Sequence, residues 1–396
     1  MADALGNIMV LDLTRVLAGP HCTRLLADMG ADVIKIEEPG GESYDRTLWG
    51  STWGTEGLRI SYGTLHRNKR NITLNLKSEE GREIFLDLVK KADVVVQNFS
   101  VPVMERLRIG YDVLRLVNPR IVYCAISAFG QTGPYRDYPG YDSIIQAYTG
   151  YLTTNGFPDS PPCRIGFSLC DYFTALYSAY GILVALYSRQ QTGLGQMIDC
   201  SIFDVMCQLN IEWLMPTVIQ GKQNPRKGNT HPYTSPTGLY RTKDNKYIWM
   251  AVQAQKQWQS VAEIIGRQDM NDKTLRERTT ELRSEVDKAV EKWTATKDLD
   301  EALRIFQKAG VPCAPVQDLL ELLSDPQAIA RKTFIEVPDE LGTINNIPGI
   351  VPKFSVTPGR AKFGYVKEGK HNSEIYQNLL GYSEMQMAGL KRKGII

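Results

Sequence analysis

Residues 1–130 alternate between short apolar runs and amphipathic stretches, and this alternation constrains the fold more than any other feature. A helix is predicted from Pro20 to Met29, and a second from Ser78, its N-cap, to about Ala92. The runs predicted as strands are Met9–Leu13, Ala31–Glu37, Ile72–Leu76, Asp93–Gln97, Ile121–Ile126 and, later, Met197–Ser201. Because strands that alternate with helices form parallel sheets covered on both faces, we predict an α/β fold of Rossmann-like type.

The chain is long enough for two domains. At 396 residues it exceeds the usual size of a single domain, and its later part reads as a hairpin at Leu239–Val252 followed by charged helices. We predict a large α/β domain over residues 1–200, completed by residues 331–396. A linker over residues 201–225 would lead to a smaller α+β domain over residues 226–325.

Composition excludes several classes of function. A formal net charge of +2 is too small for the basic surface that nucleic acids require. The four histidines lie far apart and the seven cysteines lack a C-x-x-C pair, so neither a metal site nor a disulfide frame is expected. No apolar run of roughly 18 residues suggests a membrane span. The sequence therefore predicts a cytoplasmic protein with reduced thiols that contacts neither membrane nor nucleic acid.

A single acid, Asp171, stands between a strand-like run, Arg164–Cys170, and a long apolar helical run that ends near Arg189. An aspartate in water has a pKa of about 3.9, so this carboxylate is expected to be ionised at neutral pH. A carboxylate at such a junction acts either as a helix cap, worth about 1 kcal/mol, or as a nucleophile. From the local residues alone, the cap is the commoner role, and both roles stay open.

Several segments, in order along the chain, resemble one known family. They are Leu11–Pro20, Leu26–Glu37, Asn68–Lys77, Ala92–Asn98, Ser127–Pro134, Thr192–Gln196 and Ala309–Val316. Together they resemble the class III CoA-transferases, the formyl-CoA transferase and carnitine CoA-transferase family of CaiB/BaiF type. The resemblance spans nearly the whole chain and implies an interlocked homodimer, in which two ring-like chains thread each other.

The resemblance also implies a reaction and its nucleophile. Asp171 matches the family aspartate that attacks an acyl-CoA, passing through an aspartyl–acyl anhydride and then an aspartyl–CoA thioester before CoA reaches a free acid. Apolar neighbours such as Phe167 and Tyr172 would keep water from the anhydride, and amides at the start of the following helix would steady the oxyanion. The CoA thioester would be a substrate, with no permanently bound cofactor and no metal.

Matching positions imply the residues that surround CoA. They are Val16, Leu17, Ala18, Leu74, Asn75, Leu76, Lys77, Asn98, Phe99, Ser100, Arg106, Pro139, Gly140, Tyr141 and Asp142. Among them Arg106 matches a family arginine that contacts CoA. Two departures stand out: Glu38 replaces an arginine of formyl-CoA transferases, and the glycine-run loop of oxalate-type members is missing. Both departures make a formyl/oxalate substrate pair less favoured, and Gly150–Gly156 looks more like the carnitine-type branch.

Two other functions compete with CoA transfer. The α-methylacyl-CoA racemases resemble this chain too, but they move a proton with a histidine where this chain has Tyr141. A tyrosine with a pKa of about 10 is a poor base at neutral pH. A CoA-binding protein without catalysis is the other alternative, and the retained Asp171 argues against it. Carnitine-like, dicarboxylic and aromatic acids all remain open as substrates.

Overall fold

In this computed structural model the described residues are 3–40 and 44–396, and the side chains of residues 48–53 lie outside the description. A six-stranded parallel sheet has the order β3-β2-β1-β4-β5-β6. Its strands are β1 (Met9–Asp12), β2 (Asp32–Glu37), β3 (Lys69–Thr73), β4 (Val94–Gln97), β5 (Val122–Ser127) and β6 (Met197–Ser201). This order is that of a doubly wound sheet, so the predicted Rossmann-like α/β fold is confirmed.

Helices cover both faces of this sheet. The first ten are α1 (Ala18–Asp28), α2 (Tyr44–His66), α3 (Glu79–Val89), α4 (Val103–Arg106), α5 (Tyr111–Val117), α6 (Asp142–Tyr148), α7 (Tyr151–Thr154), α8 (Leu169–Thr192), α9 (Ile202–Leu209) and α10 (Ile211–Gln220). Alternate residues of β1 serve two cores, because successive strand side chains point to opposite faces. Val10 packs with α1 and α8, whereas Leu11 packs with α3 and α5.

Two elements differ from the sequence prediction. Strand β3 lies three residues before the predicted Ile72–Leu76, because its early residues Lys69 and Asn71 are polar yet buried in a charge network that no apolar pattern indicates. The predicted strand Arg164–Cys170 is wrong. The chain there is irregular up to Ser168, and α8 begins at Leu169.

The chain divides into two compact units. The first contains Met1–Tyr151, Ile165–Leu214 and Pro326–Ile396, and the second contains Leu152–Arg164 and Met215–Asp325. The predicted linker 201–225 is instead largely helical, since α9 and α10 occupy most of it. Helix α9 buries Ile202, Val205 and Met206, whereas α10 has no buried residue.

Each unit has further elements. The first adds α16 (Pro326–Ala330), the antiparallel pair β10 (Phe334–Asp339) and β11 (Gly342–Pro348), a π-helical turn (Glu374–Leu379) and α17 (Glu384–Arg392). The second has an antiparallel sheet of β7 (Thr237–Arg241), β8 (Tyr247–Ala251) and β9 (Cys313–Pro315). Its helices are α11 (Gln255–Ile264), a 3₁₀ turn (Gln268–Met270), α12 (Leu275–Thr279), α13 (Arg283–Thr294), α14 (Leu299–Lys308) and α15 (Leu319–Leu323).

The long helix α8 departs from one expectation. Within the described part of the chain, it is the helix that is long and apolar enough to cross a membrane by length and composition, although no such run was predicted. One face packs into the sheet core through side chains such as Ala175, Ala179 and Ile182. Core helices of globular proteins meet the same criterion, so this finding alone is weak evidence for a membrane span.

Candidate active site

A cavity of about 290 Å³ opens at the carboxyl edge of the sheet, where the strand order reverses. Strand β1 pairs with β2 on one side and β4 on the other, so the loops that follow β1 and β4 leave a crevice between them. Ligands of doubly wound sheets bind in this crevice. The predicted CoA-surrounding residues that line it are Val16, Leu17, Ala18, Asn98, Phe99, Ser100, Pro139, Gly140 and Tyr141.

Asp171 lines the same cavity from the first turn of α8. It is the third residue of the helix, and Ser168 occupies the N-cap position, so the cap role considered for Asp171 does not apply. Its side chain has no hydrogen-bond partner among the residues that the structure describes. A half-buried carboxylate with no partner is left with its oxygen lone pairs free.

Burial, followed by the nearby negative charge of Asp142, raises the pKa of Asp171 to about 7. The expectation that Asp171 is ionised at neutral pH without help is therefore wrong, because the cavity wall removes the water that would stabilise its charge. Asp142 is itself buried and does not line the cavity. Its Oδ1 accepts from the Cys170 amide at 2.8 Å and its Oδ2 from the Gln146 amide at 2.7 Å.

The backbone amides near Asp171 are not those that were expected. At the start of α8, Leu169 and Tyr172 donate to backbone carbonyls and Cys170 donates to Asp142, so these three amides are occupied. At the start of α1, the amides of Leu17 and Ala18 have no acceptor among the described residues, and both residues line the cavity. Free amides at a helix N-terminus favour negative charge.

The cavity wall near Asp171 is apolar, although not through the side chains that were expected. Phe167 is 52% exposed and does not line the cavity. Ile126, Ala128 and Ile202 line it instead. These residues come from β5 and from the start of α9, which sequence reasoning did not connect with Asp171.

A second cavity, of about 440 Å³, adjoins the first. Both are lined by Arg15, Tyr44, Phe99 and Ser100, so together they form one groove. The predicted residues in the second cavity are Leu74, Asn75, Leu76 and Lys77. Glu38 lines it too, and the Lys77 Nζ lies 2.7 Å from the Glu38 Oε1.

One arginine lines this groove and a second lies beside it. Arg106 is exposed at the end of α4 and lines neither cavity, although its neighbours Val103 and Leu107 line the second. Arg15 was not predicted, and its guanidinium lies 4.8 Å from the ring centre of Phe99. Neither arginine side chain forms an ion pair with a described acid. The sequence did contain one indication of Arg15, namely its position in the Thr14–Pro20 turn after the first strand.

Asn98 has a structural contact besides its place in the cavity. Its Oδ1 accepts from the Arg15 amide and its Nδ2 donates to the Arg15 carbonyl, both at 2.7 Å. The side chain thus pins the loop after β1 to the end of β4. Both polar atoms of the Asn98 carboxamide are used in hydrogen bonds to the Arg15 backbone. A ligand in the cavity would therefore contact the outer edge of this hydrogen-bonded pair.

Comparison with known proteins gives consistent results. The sequence profile of CoA-transferase family III matches residues 5–372. A succinyl-CoA–D-citramalate CoA-transferase from Chloroflexus aurantiacus is 35% identical, covering 99% of this chain and 98% of that protein. An acetyl-CoA:oxalate CoA-transferase from Acetobacter aceti is 39% identical, covering 83% and 85%. The crystal structure of a CAIB/BAIF family protein from Brucella suis aligns with a TM-score of 0.81 at 32% identity, covering 96% and 100%.

Proposed function

Because the chain belongs to CoA-transferase family III, we propose that it moves coenzyme A from an acyl-CoA thioester to a free carboxylic acid through Asp171. The observation that carries this proposal is the Asp171 carboxylate, which lines the cavity at the switch point without a partner among the described residues. A desolvated carboxylate with a raised pKa is a stronger base than one in water, and therefore a better nucleophile.

The proposed steps regenerate Asp171. The Asp171 carboxylate attacks the thioester carbonyl, and the carbon–sulfur bond breaks. CoA leaves as a thiolate, and a mixed aspartyl–acyl anhydride remains. The thiolate then attacks the aspartyl carbonyl and releases the donor acid as a carboxylate, which leaves an aspartyl–CoA thioester. The acceptor carboxylate attacks this thioester and expels the thiolate, which leaves a second mixed anhydride between Asp171 and the acceptor. The thiolate finally attacks the acceptor carbonyl, which forms the new acyl-CoA and frees Asp171.

Each attack places negative charge on a carbonyl oxygen. The free amides of Leu17 and Ala18 are the donors that we assign to this oxyanion. Loss of one such donor typically costs 10²- to 10³-fold in kcat, so their position matters as much as that of the nucleophile. The apolar wall of the cavity limits hydrolysis of the anhydride.

The joined cavities support binding of CoA along the groove. With its thioester at Asp171, the rest of CoA would extend past Phe99 toward Asn75 and Lys77. Arg106 has no acid partner among the described residues and would meet phosphate oxygens. Asp142 would then support the site from behind, through the Cys170 amide.

The acids are proposed to be dicarboxylic. Both curated relatives described above are named for such acids, citramalate and oxalate. Arg15, at the junction of the two cavities, could pair with the second carboxylate of such a substrate. Succinyl-CoA is therefore the first donor to test. Oxalate belongs in the acceptor panel in spite of the missing glycine-run loop, because an oxalate-named relative is 39% identical.

The trapping experiment tests the nucleophile. The protein is incubated with succinyl-CoA and a panel of acids, quenched with hydroxylamine or borohydride, and digested for mass spectrometry. Modification is expected on the peptide that contains Asp171, and Asp171→Asn should abolish both modification and transfer while CoA still binds. Asp204→Asn, which removes an exposed acid near the start of α9, serves as the matched control. Turnover with an unmodified Asp171 would refute the mechanism.

The same incubations separate the alternatives. In D₂O, a racemase-type reaction would place deuterium at the α-carbon of a 2-methylacyl-CoA. We expect none, because the described lining of the Asp171 cavity contains no histidine and Tyr141 takes the corresponding place. Binding of CoA without exchange in any pair tested would identify a non-catalytic CoA-binding protein instead.

The proposal also includes an oligomeric state, the homodimer, and a cellular location, the cytoplasm. One face of α8 exposes Leu176, Tyr180, Leu183 and Tyr187, an apolar surface that a second copy of the chain would cover. This supports the homodimer that the resemblance implies, while its interlocked form rests on the resemblance alone. All seven cysteines are free thiols, which suits a reducing compartment such as the cytoplasm.

A further inference from the structure

The loop after β1 carries a strained residue next to the nucleophile. Val16 has a φ of 68°, in the left-handed region that β-branched residues rarely adopt. Its amide donates to the Asp45 Oδ1 at 2.6 Å, and the residue lines the Asp171 cavity. The next two residues, Leu17 and Ala18, are those with free amides. The conformation of Val16 therefore decides where these two amides lie.

Asp45 is suited to hold Val16. Its side chain, from the first turn of α2, is 1% exposed. Burial raises its pKa, but His66, Lys35 and the Val16 amide outweigh burial and hold the pKa of Asp45 below its usual value. The carboxylate is thus a charged acceptor, and hydrogen bonds to charged acceptors are stronger and shorter than neutral ones.

Behind Asp45 lies a chain of buried groups. The His66 Nε2 is 3.5 Å from the Asp45 Oδ2, and the His66 Nδ1 is 3.3 Å from the Lys69 Nζ. Lys69 in turn donates to the Asp12 Oδ2 at 3.0 Å. Burial and the charge of Lys69 lower the pKa of His66 to about 4, so its ring is neutral at pH 7. With Lys69 donating to Nδ1, the proton of His66 is assigned to Nε2, which lies near the Asp45 Oδ2 without forming a hydrogen bond to it.

The residues before Val16 are fixed as well. Thr14 donates to the Asp12 Oδ1 through its amide at 2.8 Å and through its hydroxyl at 2.6 Å. Arg15 is fixed by Asn98, as described above. The loop is thus tied at three successive residues to three different elements. Of these hydrogen bonds, the one to Asp45 is made by Val16, the residue with the positive φ.

We propose that Asp45 is a positioning residue for CoA transfer, which holds Val16 in its left-handed conformation and thereby aims the Leu17 and Ala18 amides at the developing oxyanion. This inference rests on the proposed function, but its structural part does not depend on it. Donors that are fixed before the reaction need no reorganisation during it. Without the Asp45 carboxylate, Val16 would relax to a negative φ and turn both amides away.

The experiment compares Asp45→Ala, Asp45→Asn and a matched control, Asp339→Ala. The control removes another fully buried acid, which accepts two hydrogen bonds from Arg59 of the same helix α2 and lines neither cavity. Asp45→Ala should lower kcat about 100-fold with less than about threefold change in the KM for acyl-CoA. Asp45→Asn keeps an oxygen acceptor for Val16 and should recover most of this loss.

A double-mutant cycle with Val16→Gly tests the cause. Glycine adopts positive φ without strain, so the loss caused by Asp45→Ala should shrink to about tenfold or less in the glycine background. Hydrogen exchange of the peptide over residues 13–19, measured without substrate, should be at least about tenfold faster in Asp45→Ala and near wild type in Asp45→Asn and Asp339→Ala.

Two outcomes would overturn the inference. One is equal loss of activity in Asp45→Ala and Asp339→Ala at equal loss of melting temperature. The other is unchanged exchange of the loop in Asp45→Ala. If the wild type transfers CoA between no pair of acids, the proposed function fails, whereas the exchange comparison still decides whether Asp45 holds the loop.

Discussion

The raised pKa of Asp171 determines the pH dependence that we expect for the proposed reaction. Burial, followed by the charge of Asp142, raises the pKa of Asp171 to about 7, so the reactive anion is lost as the pH falls below 7. The kcat/KM for acyl-CoA should fall about tenfold per pH unit below pH 7 and level off above it. Asp142→Asn should move the midpoint to lower pH. A profile that stays flat down to pH 5 would contradict the raised pKa.

At the scale of single residues, the sequence alone does not decide the roles of the residues in the site. Local residues allow Asp171 to be a cap or a nucleophile, and only the ordered family matches favour the nucleophile. Its protonation depends on Asp142, a residue 29 positions away in sequence but packed behind the Cys170 amide. Asp45 and Arg15 carry no motif of their own. Their roles come from contacts across the fold, which a single sequence does not report.

Among the elements, the turn after β2 and the loop after β3 each bring one exposed charge to the second cavity. Glu38 pairs with Lys77 there, and both side chains are exposed, at 47% and 72%. Glu38→Gln should release Lys77 and remove a negative charge from the groove proposed for the CoA phosphates. Because exposed pairs are worth up to about 1 kcal/mol, the KM for acyl-CoA should fall by about two- to fivefold with kcat unchanged.

Steady-state kinetics at low and high salt check this prediction. Asp87→Asn, which releases Lys90 from a similar exposed pair on α3, is the matched control and should change nothing. The gain in Glu38→Gln should shrink at high salt, because salt screens the freed charge. A higher KM in Glu38→Gln would show that the carboxylate itself helps to bind the substrate.

Elements were predictable where burial alone shaped them. Strands β1, β4 and β5 are short apolar runs with both faces covered, and they lie within a residue or two of their predicted places. Strand β3 was displaced because it carries Lys69 and Asn71 into a buried charge network. A lysine inside a sheet has a partner such as Asp12 only after the fold has formed, so no local pattern could indicate it.

For the whole molecule, the apolar face of α8 predicts self-association. Leu183 and Tyr180 are 43% and 67% exposed, which is costly for an isolated chain. Leu183→Glu should convert dimers into monomers in analytical ultracentrifugation, because a charge would be buried at the contact. Leu116→Glu, at a 79% exposed leucine on α5, is the matched control and should leave the mass unchanged. A monomeric wild type would contradict the proposed homodimer.

Domain organisation was predictable in outline only. Composition suggested two parts and the return of the C-terminal segment to the large one. It did not suggest that residues 152–164 belong to the second unit, or that the supposed linker folds as α9 and α10. Both depend on which apolar faces find each other across long sequence separations, and periodicity within a window does not contain that information.

The half-buried carboxyl group of Asp171 also affects the free energy of unfolding of the protein. The unfolded chain binds the Asp171 proton with a pKa of about 3.9, and the folded chain with one of about 7. The contribution of Asp171 to folding stability is therefore fully present below about pH 4 and is lost as the pH rises through about 7. Ionisation of Asp171, which the proposed attack on the thioester requires, therefore lowers the stability of the native state.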